Sequence, residues 1–246
     1  VGHIALLSLL LAGCYVMKPA KIPLPVVHYS AATNGAAEGL IVLLPGFGDG
    51  PKSFDQQGII DIVRRIAPTF DAVATDAHFA YYRNQSIVER LHSDVIEPIA
   101  HRYQRVWLVG ISMGGLGAAA YAMEHPAMVE GAILLAPYMG DDELIAELEA
   151  AGGLAQWLPP DLAAVVDEEE RLFYELWTWS NGSADAIHPT PKLLLGFGAE
   201  DRLRRANQLV ADVLPGDQVV SIPGGHKWTV WIALFETLLR RAVAKN

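Results

Sequence analysis

Three side chains in this sequence have the types that a nucleophilic attack at a carbonyl carbon calls for, a nucleophile, an acid and a base: Ser112, Asp201 and His226. Ser112 sits in Gly110-Ile111-Ser112-Met113-Gly114, a Gly-x-Ser-x-Gly pattern. A serine hydroxyl is a weak nucleophile until it is lifted clear of its neighbours and offered a base. The apolar run 105–111 before it reads as a buried strand, and the small residues 116–124 after it suit a helix. A sharp strand-to-helix turn between them would expose the hydroxyl, and the flanking glycines would let backbone pack closely there. The helix N-terminus would also favour developing negative charge.

The base should be a histidine on a loop. His226 follows Pro223-Gly224-Gly225 beyond the last expected strand. His28, His92, His101, His125 and His188 are less well placed, and His3 lies in an apolar leader. The acid that orients the imidazole should also follow a strand. Asp201 does so in Gly198-Ala199-Glu200-Asp201, with Glu200 a direct competitor and Asp141 or Asp142 a more distant alternative. Ser, then Asp, then His along the chain is the order this strand–turn–helix arrangement predicts.

These residues need a scaffold. The stretch 39–44 is a continuous apolar run, as in a strand covered on both faces; 70–75, 105–111, 131–136, 192–198 and 218–222 read as further strands, and 26–30 is another candidate. Between them, 53–66, 86–103, 141–151, 161–180, 203–214 and 229–243 carry helical spacing. Alternating strands and helices predict an α/β fold: a doubly wound, mostly parallel sheet flanked by helices, with loops at the C-terminal strand ends carrying the site. Roughly fifty residues separate the 131–136 and 192–198 strands, more than one helix needs. This predicts a small helical cap insertion at about 141–190, whose Trp157, Phe173, Tyr174, Trp177 and Trp179 either line a pocket or form the cap's own core. His78, Phe79, Tyr81 and Tyr82 follow another strand end and are further candidates for the edge of the cleft.

On the nucleophile turn, acid turn and histidine loop, the chain from about Gly39 onward resembles the α/β-hydrolase superfamily. The resemblance implies a serine hydrolase with Ser112 as nucleophile, His226 as base and Asp201 as acid. It also implies an oxyanion hole formed by the N–H groups of Met113 and Phe47. The loop that often reads His-Gly in the family is Pro45-Gly46-Phe47-Gly48 here, a departure that bears on the second donor. Carboxylic esters are the expected substrates, with thioesters, lipids and peptides as alternatives; so is a non-catalytic binding protein that has kept the fold.

The 246 residues are 52% hydrophobic and 19% charged, which suits one domain with a large core. A formal charge of −10 and no Lys/Arg cluster argue against nucleic acid as a partner. The sequence holds neither a phosphate-binding glycine loop nor a metal-ligand motif, so no cofactor and no metal is expected. The one cysteine, Cys14, rules out an intramolecular disulfide. It ends an apolar, uncharged stretch at Leu11-Ala12-Gly13-Cys14, which resembles the lipobox of bacterial lipoprotein signal peptides. A signal of that kind ordinarily starts with Met and a basic stretch, and neither stands before residue 5. The resemblance implies a signal at 1–13, a lipidated Cys14, a proline-stiffened tether at 14–25 and a hydrolase domain at 26–246, anchored to a bacterial envelope membrane and facing the periplasm or exterior. The alternative is an apolar N-terminal strand with a buried cysteine.

Overall fold

A computed structural model describes residues 18–33, 35–182 and 191–244. The leader, Cys14, His3, His188 and residues 183–190 of the insertion lie outside the described residues. The core is a seven-stranded sheet, ordered β1-β3-β2-β4-β5-β6-β7. The strands are β1 (Val26–Tyr29), β2 (Gly39–Leu44), β3 (Phe70–Thr75), β4 (Arg105–Ile111), β5 (Gly131–Leu135), β6 (Lys192–Gly198) and β7 (Val219–Ile222). All neighbours pair in parallel except β1, which runs antiparallel to β3 at the edge. Every residue of β2 and β5 is buried, as the continuous apolar runs require of strands covered on both faces.

The helices are α1 (Pro51–Gln56), α2 (Ile59–Ile66), α3 (Phe79–Arg83), a composite α4, α5 (Met113–Glu124), α6 (Asp142–Ala150), α7 (Glu168–Ser180), α8 (Arg204–Ala211) and α9 (Trp228–Val243). Three differ from the expected spans. The helix read at 53–66 is two helices, broken at Gly58, whose φ of 79° ends one and starts the next. The 86–103 helix, α4, ends at Ala100 and is interrupted by a π-helical turn, Leu91–Ile96, between Ile87–Arg90 and Glu97–Ala100. Pro98 lacks an N–H and crowds the carbonyl four residues earlier, and the wide turn gives it room. The 161–180 helix starts only at Glu168, where the Asp167 side chain accepts from Glu170 N at 2.9 Å; Asp161 caps a separate 3₁₀ turn, Leu162–Ala164.

α5 is buried from Met113 to Ala122, so nearly all of its circumference meets protein. Its Gly and Ala content follows from that environment, since bulk would clash where the helix meets the sheet and the strand ends. Gly114 is the clearest case: a Cβ there would overlap the Leu44 and Pro45 carbonyls. The start of α5 is thereby held against the end of β2.

Candidate active site

Ser112 stands between the last residue of β4 and the first of α5. Its φ of 54° and ψ of −115° put a non-glycine residue in a strained conformation, which costs about 1–3 kcal/mol and must be held by its surroundings. Ser112 N donates to Leu135 O at 2.9 Å, and Tyr138 N donates to Ser112 O at 3.0 Å. The end of β5 and the loop after it therefore grip the strained residue on both sides.

The structure brings Ser112, His226 and Asp201 together. His226 Nε2 lies 2.9 Å from Ser112 Oγ, and His226 Nδ1 lies 2.9 Å from both carboxylate oxygens of Asp201. Ser112 and Asp201 are buried, at 5% and 4% exposure. This geometry implies the tautomer with the proton on Nδ1, facing Asp201, leaving Nε2 to accept from the serine. Asp201 is fixed by its own turn, with Leu203 N donating to Oδ1 at 2.8 Å and Asp201 N donating to Gly198 O at 3.0 Å.

The competing acids have other work. The Glu200 carboxylate accepts from Gly224 N, and Glu200 N donates to Gly224 O at 3.0 Å, so Glu200 clamps the histidine loop and does not touch the imidazole. Asp141 is the N-cap of α6, accepting from Leu144 N. Asp142 is an exposed partner of Arg205.

Met113 is the first residue of α5, so its N–H has no intrahelical acceptor. The loop after β2 lies against Ser112: a Cβ at Gly46 would stand 3.6 Å from Ser112 Cβ. Phe47 follows, half exposed, its ring edge-on to Phe79 with centroids 5.7 Å apart.

A cavity of about 610 Å³ opens beside Ser112, within the range that holds a small organic ligand. Phe47, Phe79, Tyr82, Tyr138 and Phe173 contribute its aromatic lining. Burial first, then Asp141, Glu169 and Asp142, push the Tyr138 phenol above its ordinary pKa, which keeps it a neutral hydrogen-bonding group. Most of the insertion's aromatics face elsewhere. Trp177 is fully buried and donates to Met139 O at 3.0 Å; Trp157 stacks on Tyr174 and donates to Glu147 at 2.8 Å. Trp157, Tyr174 and Trp177 form the cap's own core, and of the five insertion aromatics Phe173 lines the cavity. Of the edge candidates, Phe79 and Tyr82 line it, whereas His78 and Tyr81 are wholly buried and outside the lining. The remaining described histidines sit apart: His92 stacks on His125 at 4.1 Å, and His28 and His101 are on the surface.

Two supporting residues escaped the sequence reading. Trp231 of α9 lies edge-on to His226, with ring centroids 4.8 Å apart, and buried Asn207 donates to Pro137 O at 2.9 Å beside the Ser112 grip. Trp231 follows the histidine loop at helical spacing. Asn207 left no signal, because only folding brings it to a loop seventy residues away. Among the described residues no group of three or more His, Cys, Asp or Glu could hold a metal ion. No helix among them is long and apolar enough to cross a membrane.

Comparison with known proteins agrees with this architecture. Residues 80–174 match the serine aminopeptidase family S33 model, Hydrolase_4. The structure is similar to the fluorophosphonate-binding serine hydrolase FphF of Staphylococcus aureus, at 15% identity and TM-score 0.61, covering 92% of this chain and 96% of that one. It is also similar to an S-formylglutathione hydrolase from Staphylococcus aureus (15% identity, TM-score 0.62, 92% and 98% covered) and to a Pyrobaculum calidifontis esterase (14%, 0.57, 96% and 91%). No curated protein sequence matches this chain. The chain has the α/β-hydrolase fold, with a Ser–His–Asp arrangement of the serine hydrolase type.

Proposed function

We propose that this α/β-hydrolase-fold chain cleaves carboxylic esters through an acyl-enzyme intermediate on Ser112. The observation that carries the reading is the unbroken hydrogen-bond line from Ser112 Oγ through His226 to Asp201, each step 2.9 Å. As Ser112 attacks the carbonyl carbon, its proton passes to His226 Nε2. Asp201 at Nδ1 holds the ring and stabilises the imidazolium that forms. The N–H groups of Met113 and Phe47 are assigned to the oxyanion; losing one such donor costs about 10²–10³ in kcat. His226 then returns the proton to the leaving alcohol, and water, deprotonated by the same imidazole, cleaves the acyl-enzyme to release the acid.

Esters are favoured because two of the similar structures are described as esterases, the Pyrobaculum calidifontis enzyme and a ferulic acid esterase. The aminopeptidase description of the matching family supports a second reading, a peptide substrate. The test pairs a fluorophosphonate label with p-nitrophenyl esters and aminoacyl p-nitroanilides. The ester reading expects labelling and ester turnover, both abolished by Ser112→Ala. Anilide turnover without ester turnover would move the substrate to peptides. A folded protein that takes no label would leave only a binding role. The Leu11-Ala12-Gly13-Cys14 sequence supports a lipid anchor at Cys14 on an envelope membrane; Cys14→Ser should then release the full-length protein from the membrane fraction.

A further inference from the structure

The cavity beside Ser112 is not a round pocket. Its floor is one face of α5: Met113, Leu116, Gly117 and Ala120, with Glu124 beyond them. These recur at helical spacing, so the cavity is a groove running along the helix from the nucleophile toward its C-terminal end. Ile87 and Val88 of α4 line it as well, and so do Leu172 and Phe173 of the cap helix α7. Of the charged lining residues, Arg83, Glu124, Glu168, Glu169 and Arg202 are exposed and form the rim, while half-buried Arg171 and Glu175 pair with each other on α7, across from the apolar floor on α5.

We infer that this groove is the acyl-chain subsite, that it selects unbranched acyl chains of medium length, and that Gly117 and Ala120 keep it open. The inference rests on the esterase reading above. The leaving alcohol must reach His226 Nε2, which protonates it, and His226 is not part of the groove lining. The part of the substrate lying along α5 is therefore the acyl part. From Met113 to Ala120 the apolar floor spans about 10 Å at 1.5 Å per residue. An extended carbon chain advances slightly less than its ~1.5 Å bond length per carbon, so the apolar stretch takes an acyl group near octanoyl. A longer chain would carry its end past Ala120 to the charged Glu124. At Gly117 a Cβ would stand 2.7 Å from Tyr82 Oη and 3.1 Å from Leu44 Cδ2, so any side chain there would press Tyr82 into the groove. Ala120 is buried on the floor and has no bulk to block a passing chain.

The experiment is the kcat/KM of p-nitrophenyl esters from acetate to palmitate, on the wild-type chain, Ala120→Phe and Leu172→Trp. Leu172 is only partly buried, so its variant keeps the test open if Ala120→Phe does not fold. The inference expects a wild-type maximum between hexanoate and decanoate. It expects each folded variant to lower the octanoate-to-acetate ratio at least tenfold, since each buried methylene is worth about fourfold in affinity. A maximum at acetate, or a ratio that moves less than twofold in folded variants, would overturn it while fluorophosphonate labelling of Ser112 leaves the serine chemistry standing. Loss of labelling in the wild-type protein would instead overturn the esterase reading beneath it.

Discussion

The turn at Ser112 and the cap helix α7 border the same groove but are built on opposite plans. The turn is held by backbone. Ser112 N and O are both bonded to backbone around β5, and the start of α5 packs against the Leu44 and Pro45 carbonyls with no side chain between. The cap is held by side chains. Trp177 bonds the Met139 carbonyl, Trp157 reaches Glu147, Tyr174 reaches Glu170 at 2.9 Å, and Arg205 of α8 ties back to Glu149 and Asp142 of α6. Backbone contacts leave no alternative rotamers, so Ser112 is positioned stiffly. Side-chain tethers can each be altered singly, so the wall that meets the substrate can change without disturbing the chemistry beneath it.

Substitutions on the two sides should separate in size and kind. The largest effect expected is on turnover: Asp201→Asn leaves a fold of similar shape but presents the wrong tautomer of His226, and kcat should fall about 10⁴-fold in a p-nitrophenyl ester assay. Gly114→Ala should come next, costing about 3 kcal/mol or more in urea unfolding and removing Ser112 labelling, because the new methyl meets fixed carbonyls. If it were mild, the stiff-turn account would be wrong. Trp177→Phe leaves the buried Met139 carbonyl without this donor and should cost about 1–3 kcal/mol, with a smaller loss of labelling rate than Gly114→Ala. Tyr174→Phe removes one tether of the cap and should cost about 1 kcal/mol.

The smallest effect concerns pH and lies far from both regions. Arg65 first, then Arg240, hold the Glu236 carboxyl down from its ordinary 4.5 to about 2. A depressed carboxylate stabilises the fold fully above the unfolded value, and that contribution is lost as pH falls through the folded one. Glu236→Gln should therefore lower stability slightly at neutral pH, with the difference from the wild type shrinking between about pH 4.5 and 2, as thermal melts at stepped pH would show.

Legibility in the sequence followed the range of the interaction. β2 lies at its expected residues because a continuous apolar run is a local signal. The hydrophobic spacing carries across Gly58 and predicts one helix, whereas the positive φ of Gly58 that separates α1 from α2 is a property of the folded turn. The start of α7 was read too early because Asp161 and Asp167 are both competent caps, and only the second opens a long helix. Asp201 and Glu200 are adjacent carboxylates of like chemistry. Nothing local says which faces the imidazole; the turn sends one to His226 and the other to Gly224 N.

The sequence by itself determined the order of strands and helices, the turn that carries Ser112, and the chain order of the three polar residues. Each is written in residue types within a few positions of one another. Only the tertiary structure decided which acid is the partner, that most cap aromatics pack among themselves, and that one face of α5 becomes the floor of a groove. Those depend on residues tens to more than a hundred positions apart, as Ser112 and His226 are, and such distances are closed only when the sheet forms and its strand ends meet.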